Sequence, residues 1–380
     1  MDLDNVVALL ERRDLVRRIS RIWLWGLSSS QLENISEAMQ VSFPELTGLL
    51  LFHKGRTEAV VPLSDSFLGG SAPQLRSLAL HCIPYPGLPK LLLSATHLTR
   101  LGLHCIPDSG YISPEAMVAY LSTLTSLEDL SLEILRPDRE SRRLPLPTRI
   151  VLPVLIAFWF KGVVEYLEQL VAGIDAPRLR RFDMTFFEDI VFDTPQLAQF
   201  IRHTPTFEAF DKASVGFYLG RMDAGITLSP AYKHPNESLN MSISCPKLDW
   251  QLSFLEQVCT SSLPSLSTLE GLYVEGWTWP QDWKDFIDYA QWLKLLRSFT
   301  AVKNLYLSKE LAPYVVLALQ DLVGSRTTEV FPNLQNIFLE ELRESGPVQE
   351  GIGEFIATRQ VTSHPIAVSR WDRDTGSDYY

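Results

Sequence analysis

Two short runs carry the residue types that bind zinc, and they lie one repeat apart. His81-Cys82 ends a Leu-x-Leu pattern, and His104-Cys105 ends the same pattern farther along the chain. Two imidazoles and two thiols are a zinc ligand set. Neighbouring residues on a strand point to opposite faces, however, so we expect that the four side chains do not converge. The sequence therefore predicts no metal and no other cofactor.

The other short motifs do not indicate catalysis. Gly351-Ile-Gly353 lacks the third glycine and the preceding strand of a dinucleotide-binding loop. The sequence contains no nucleophile elbow, no phosphate-binding Walker loop and no zinc-protease histidine pair. We therefore expect a protein that is not an enzyme and has no catalytic residues.

Five arginines lie in a proline-broken stretch, residues 135–150, that we expect to be an exposed insertion. Arginine side chains bind phosphate or acidic partners with charge-assisted hydrogen bonds. The alternative interpretation is that a charged run in such a loop is simply solvated. These residues are Arg136, Arg139, Arg142, Arg143 and Arg149.

The elements that position these residues follow a leucine-rich repeat. Leu75/Leu78/Leu80 and Leu98/Leu101/Leu103 have the same spacing, and both are followed by His-Cys-Ile-Pro. The pattern recurs every 29 residues or so, as expected for leucine-rich repeats with helices on the convex side. The other frames begin at Ile19, Leu46, Leu127, Leu155, Leu179, Leu269, Val302 and Leu334, with weaker matches at Phe207/Phe210 and Leu239/Met241.

This pattern predicts an α/β leucine-rich-repeat solenoid, or horseshoe, of about 12 repeats, with a parallel concave β-sheet and a helical convex side. We expect one solenoid over residues 1–371, with degenerate repeats at 204–250 and a disordered tail at 372–380. Capping and apolar spacing indicate helices that begin after Ser113 and Thr194. Further helices are predicted at Gln31–Met39, Glu165–Ile174, Phe254–Cys259, Asp285–Phe299, Pro313–Val323 and Pro347–Val361.

Side chains between the frame residues point outward, so the sequence predicts which residues line the concave sheet. Aromatic residues recur there, and they dominate binding hot spots. The alternatives are that helices or an inserted loop cover them, or that aromatic residues are there simply because they suit a β-strand. The predicted partner-binding residues are Trp23, Trp159, Tyr273, Tyr306 and Phe338, with Glu275 and Glu340 beside the last three.

Composition and charge limit the classes of partner. Hydrophobic residues make up 46% of the 380 residues, which is ample for a core. The formal net charge is -11, and the stretch from Asp249 to Tyr380 has 18 acidic against 10 basic side chains. Phosphate backbones repel an acidic chain, so we expect no nucleic-acid partner.

Cysteine usage and hydropathy indicate a cytoplasmic or nuclear protein. None of the four cysteines belongs to a Cys-x-x-Cys motif, and the residues after Met1 lack the features of a secretory signal. The most apolar stretch, Val151–Phe160, is too short to cross a bilayer, which requires about 20 residues in a helix. We therefore expect no membrane association.

Four runs are longer than the repeat pattern requires, namely DLVRRISRI (14–22), GLPKLLLSATHL (87–98), SGYISPEAM (109–117) and SHPIAVSRW (363–371). They resemble the leucine-rich-repeat region of large fungal families of F-box proteins, and the resemblance spans nearly the whole chain. It implies a substrate receptor, in which an F-box helix bundle docks on a Skp-type adaptor of a cullin ubiquitin ligase while the repeats bind the target. The sequence has no F-box-like segment ahead of Ile19, so the adaptor is an expected partner only if an F-box lies upstream.

These observations predict a non-catalytic protein-recognition module whose partner is another protein. The resemblance makes it the substrate-binding repeat region of an F-box-type ubiquitin ligase receptor, without the F-box. The alternative is a general leucine-rich-repeat scaffold or adaptor that is unconnected to ubiquitin.

Overall fold

The structure is a computed structural model of the chain. It describes residues 10, 12–55, 62–134, 149–187, 194–218, 223–230, 237–263, 266–277, 289–320, 322, 329–341, 346–360 and 365–372. The chain forms two compact units. Unit 1 comprises Met1–Asp183 and His203–Pro205, and unit 2 comprises Met184–Arg202 and Thr206–Tyr380.

Unit 1 alternates short strands with short helices. Its main strands lie in the order β1-β2-β3-β4-β5-β7-β9, and the first six pair in parallel. The last four residues of β9 belong to unit 2. The strands are β1 (Arg21–Leu27), β2 (Gly48–His53), β3 (Ser77–His81), β4 (Arg100–His104), β5 (Asp129–Glu133), β6 (Ile150–Val151), β7 (Ala157–Gly162), β8 (Ile174–Asp175) and β9 (Arg181–Phe187). The helices are α1 (Arg13–Val16), α2 (Ser29–Ala38), α3 (Leu88–Ser94), α4 (Pro114–Leu121) and α5 (Val164–Ala172).

The leucine frame forms the core of unit 1. Leu78, Leu101 and Leu130 occupy equivalent positions on adjacent strands, and each is buried. The helices pack on this face, as shown by the stacked rings of Phe160 on β7 and Tyr166 on α5. Ser113 begins α4 by accepting a hydrogen bond from a backbone N–H of the first turn, which satisfies a donor that the helix itself cannot. The other face of the sheet, called the open face here, carries the outward side chains.

Unit 2 has parallel and antiparallel parts. The strands β13 to β16 are parallel to one another, whereas β11 is antiparallel to both β10 and β12. The strands are β10 (Lys212–Tyr218), β11 (Asp223–Ser229), β12 (Ser238–Ser244), β13 (Gly271–Trp277), β14 (Asn304–Leu307), β15 (Asn336–Leu339) and β16 (Ala367–Arg370). The helices are α6 (Pro195–Arg202), α7 (Leu248–Gln257), α8 (Tyr289–Leu296), α9 (Ala312–Gln320) and α10 (Pro347–Gln360).

The repeating strand and helix with an inward apolar frame confirm the predicted α/β leucine-rich-repeat fold. One frame assignment was wrong. Residues Phe207/Phe210 were assigned to the frame, but Ala213 and Val215 are the β10 residues that pair with Leu272 and Val274 of β13. The frame therefore begins three residues later, because Phe207 lies in a short 3-10 turn ahead of β10. Leu239 and Met241 point inward as predicted.

Several expectations fall on residues outside the description, among them the insertion at 135–148, with four of its arginines, and residues 373–380. Arg149 is described, and its Nε donates a hydrogen bond to the carbonyl of Ile174, 3.1 Å away. This bond lies beside the pairing of β6 with β8, so Arg149 supports a small second sheet. Among the described residues, no helix is both long enough and apolar enough to cross a membrane.

Candidate functional site

Three aromatic residues form a stacked ladder on the open face of unit 2. Tyr273, Tyr306 and Phe338 occupy paired positions on β13, β14 and β15. The Tyr273 and Tyr306 ring centroids are 4.1 Å apart, and those of Tyr306 and Phe338 are 4.5 Å apart, with nearly parallel planes. The ladder follows from the sequence because one outward position of three consecutive parallel strands is aromatic.

The ladder is partly covered by Trp371, which follows β16. The indole lies edge-on to Tyr273 and Tyr306, at centroid distances of 5.8 and 5.7 Å. Its backbone N–H donates a 2.7 Å hydrogen bond to the carbonyl of Leu339, which holds the residue beside the ladder. Burial raises the pKa of the Tyr273 phenol above its usual range, and the neighbouring Tyr306 adds to this. The ladder is therefore a half-buried apolar patch, and the Tyr273 hydroxyl within it stays neutral.

Polar groups surround the ladder. Glu340 accepts a hydrogen bond from the backbone N–H of Lys309 at 3.1 Å, so one carboxylate oxygen is already engaged. Glu275 is half-buried and lies two residues beyond Tyr273 on the same strand. An open cleft of about 400 Å³ adjoins Trp371. It is lined by Lys309, Glu340, Glu341, Arg370, Trp371 and Asp372.

Unit 1 carries a second row of rings on its open face, the early row: Trp25, Phe52, His81, His104 and Trp159. Successive centroids are 5.5, 4.1, 5.7 and 5.5 Å apart. Sequence reasoning missed this row, although four of the five residues occupy the same outward position of successive repeats. The row was missed because the two histidines were considered as metal ligands and not as aromatic rings that can stack.

Trp23 and Trp25 are the most exposed large side chains of the early strands. Their exposed fractions are 62% and 67%. The guanidinium of Arg21 lies 6.0 Å from the ring centroid of Trp23, within the range of a cation–π contact. Trp159 is half-buried against His104, so of the two predicted unit 1 residues only Trp23 is fully available.

The repeated His-Cys runs bring three ligand atoms together at the ends of β3 and β4. The atoms of His81, Cys82 and Cys105, called here the thiol–imidazole cluster, all lie within 4.8 Å of one another. The Sγ of Cys82 is 3.3 Å from Nδ1 of His81. The thiol of Cys105 donates a hydrogen bond to Oε2 of Glu133 at 3.1 Å.

As expected, the four side chains do not all converge, but alternation does not keep His81, Cys82 and Cys105 apart, because the strands end at the histidines. Cys82 and Cys105 have φ angles of 57° and 50°, in the left-handed region, so the chain turns and the thiols swing back. The equivalent residue of the first repeat is Gly26, with φ 68°. Glycine adopts this conformation freely, whereas cysteine pays about 1–2 kcal/mol. His104 is not within the cluster.

The cluster lies beside two charged residues, Glu133 and Lys161, and Glu133 is buried. Glu133 is only 5% exposed, and Nζ of Lys161 is 3.4 Å from its Oε1. Burial lowers the pKa of His104, and the neighbouring His81 lowers it further, whereas Glu133 raises it. The neutral form of His104 is therefore favoured.

Neither a protein-family model nor a curated protein matches the chain. Among solved structures, the chain is similar to the leucine-rich repeat-containing protein LegL7 from Legionella pneumophila. The identity is 14% and the TM-score 0.31, over 88% of this chain and 90% of that chain. A Bacteroides fragilis protein is similar at 12% identity and a TM-score of 0.23, over 80% of this chain and 67% of that chain. The fold assignment rests on the leucine frame and the strand register.

Proposed function

We propose that the chain is a non-catalytic protein-recognition module that contacts its partner through the open face of the sheet in each unit. The observation that carries the proposal is the alignment of aromatic side chains on outward strand positions. Tryptophan and tyrosine at such positions supply large apolar contact area at little conformational cost. The proposed contact residues are Trp23 and Trp159 in unit 1, and Tyr273, Tyr306, Phe338, Glu275 and Glu340 in unit 2.

Charge defines the chemistry of the partner. The formal net charge of -11 steers basic surfaces toward the chain. Glu275 and Glu340 place carboxylates beside the ladder. We therefore expect a partner surface that presents an aromatic or apolar anchor flanked by lysine or arginine.

The finer proposal is that these repeats are the substrate-binding part of an F-box-type ubiquitin ligase receptor. It is supported by the four long runs that resemble those families. In addition, none of the four cysteines, all of which lie in the described part of the chain, forms a disulfide, as is usual in a cytosolic or nuclear protein. The alternative function is a scaffold. The two differ in the fate of the bound protein. Depleting a receptor raises the steady-state amount of its partner, and proteasome inhibition removes that difference, whereas depleting a scaffold leaves the amount unchanged.

The binding face is tested by affinity capture with the full chain and matched variants. Trp23→Ala with Trp25→Ala removes the exposed indoles of unit 1, and Tyr306→Ala removes the central ring of unit 2. Leu93→Ala is the control, because Leu93 is 59% exposed but lies on α3. Loss of an anchor aromatic costs about 2 kcal/mol or more in binding.

We expect the proteins captured by the unchanged chain to be kept by the Leu93→Ala variant and lost, at least thirtyfold or so, by a face variant. Equal capture by all the variants would contradict the proposal. Melting temperatures of the variants separate loss of the face from loss of the fold.

A further inference from the structure

We propose that the ends of β3, β4 and β5 form a zinc site, with His81 Nδ1, Cys82 Sγ and Cys105 Sγ as ligands and the Glu133 carboxylate as the fourth. The inference does not depend on the proposed function. It rests on the thiol–imidazole cluster, in which three possible zinc-ligand atoms from two adjacent repeats lie close together. The carboxylate of Glu133 on β5 is buried and accepts the hydrogen bond of Cys105, which places it next to one of the three ligands.

The separations suit a tetrahedral ion. Zinc lies about 2.3 Å from a thiolate sulfur and about 2.0–2.1 Å from an imidazole nitrogen, so its ligand atoms are roughly 3.5–3.8 Å apart. The observed contacts between Cys82 and His81, at 3.3 Å, and between Cys105 and Glu133, at 3.1 Å, lie just below this spacing. The ligand atoms of His81, Cys82 and Cys105 all lie within 4.8 Å of one another, so closure of these three around an ion needs a movement of about 1 Å, and Glu133 follows Cys105.

The backbone holds the ligands ready. The N–H of Cys82 donates a 2.8 Å hydrogen bond to the carbonyl of His104, which joins the ends of β3 and β4. The left-handed φ angles of both cysteines are unfavourable for that residue type, yet they turn both thiols into the cluster. Cys82 and Cys105, which are equivalent residues of consecutive repeats, thus have the same unfavourable backbone conformation, and in both it directs the thiol into the cluster.

The charges also suit zinc. Each cysteine must lose its proton to bind, so loading releases two protons and converts two thiols into thiolates. Two thiolates and one carboxylate together exceed the charge of the ion by one, and Lys161 lies 3.4 Å from Glu133 to offset the excess. Thiolate with imidazole selects zinc over calcium or magnesium, which prefer oxygen.

The test uses the full chain, purified with a phosphine reductant and stripped of metal. Cobalt(II) reports the site, because thiolate ligands give it a charge-transfer absorption and four-coordination gives intense visible bands. We expect one equivalent of cobalt to bind, and zinc to displace it. Zinc should also raise the melting temperature, since it binds the folded state.

Three variants and one control assign the ligands. Cys82→Ser and Cys105→Ser should abolish the charge-transfer band, and Glu133→Gln, which keeps the side-chain shape, should weaken binding about tenfold or more. Cys259→Ala is the control, because Cys259 is a buried thiol of unit 2 and should leave binding unchanged.

Two results would overturn the site. One is a reduced, folded chain that gives no thiolate-to-cobalt band and no thermal shift with zinc. The other is cobalt binding by the Cys82→Ser and Cys105→Ser variants that is as tight as binding by the unchanged chain. If Cys82 and Cys105 instead form a disulfide and the reduced chain binds no metal, the first of these results will be observed. If a serine variant fails to fold, the unchanged chain and the Glu133→Gln variant still decide the question.

Discussion

At the scale of single residues, Tyr85 carries a buried hydroxyl that has no hydrogen-bond partner among the described residues. Its ring packs edge-on against Phe67, with centroids 5.7 Å apart. An unpaired buried hydroxyl costs free energy that an apolar group of the same shape does not. We therefore predict that Tyr85→Phe leaves the free energy of unfolding unchanged or raises it by about 1 kcal/mol, as measured by urea denaturation at neutral pH. A loss of more than about 1 kcal/mol would show that the hydroxyl has a partner.

The same residue predicts a pH dependence. Burial, with a smaller contribution from the charge of Asp65, raises the pKa of Tyr85 to about 12. In the unfolded chain tyrosine ionises near pH 10, so stability is present below that pH and is lost as pH rises toward 12. The loss reaches at most roughly 2–3 kcal/mol. The Tyr85→Phe variant should lack this part of the alkaline destabilisation, which paired melting curves at rising pH would reveal.

Substitutions at Tyr306 and at its neighbour Leu305 test which face of β14 belongs to the core and which to the surface. Leu305 is fully buried, and Leu305→Ala should cost about 2–5 kcal/mol. Tyr306 stacks on two rings but is half-buried, so Tyr306→Ala should cost less, about 1–3 kcal/mol. Tyr306→Phe keeps the ring and is the control. Should Tyr306→Ala cost more than Leu305→Ala, the ladder is core and not a contact surface.

At the scale of elements, β11 is hydrogen-bonded to a neighbouring strand along both edges, whereas β16 is hydrogen-bonded to a strand along one edge. β11 hydrogen-bonds to β10 and β12, whereas β16 pairs with β15 at the end of the strand order and has mostly exposed residues. Protected amides exchange only when strands open. We predict slower hydrogen exchange in Asp223–Ser229 than in Ala367–Arg370, measured by mass spectrometry. Faster exchange in β11 would show that the antiparallel strands are loosely attached.

Much of this element order was predictable, because the leucine frame fixes which side chains point inward. The strand register of Tyr273, Tyr306 and Phe338 follows directly from it. The sequence could not indicate the antiparallel β11. Ala224, Ile226 and Leu228 alternate with other residues as in any strand, and alternation carries no direction.

Other misses have a local cause. Alternation along a strand predicts side-chain direction only while the backbone stays extended, and at Cys82 and Cys105 it does not. A left-handed cysteine is rare, so propensity gave no signal there. The cover over the ladder was missed for a different reason. Trp371 is remote in sequence, and only the pairing of β16 with β15 brings it near.

At the scale of the whole molecule, the division into two compact units implies that a destabilising substitution in one unit mainly affects that unit. In a repeat fold each unit packs mainly on its neighbours, so a lost contact affects nearby repeats most. We predict that Leu130→Ala speeds hydrogen exchange in β4 and β5 of unit 1 and leaves β13 to β15 of unit 2 as protected as before. Equal acceleration in both units would show that the chain unfolds as one cooperative body.

The exposed indoles of Trp23 and Trp25 also make the chain its own optical probe. A solvated indole emits at longer wavelength than a buried one, and Trp292, which is 1% exposed, supplies the buried comparison. Small neutral quenchers should therefore extinguish the red edge of the emission first. A partner that covers the early strands would shield this red component and shift the spectrum toward the blue. Binding to these strands can thus be followed without any label.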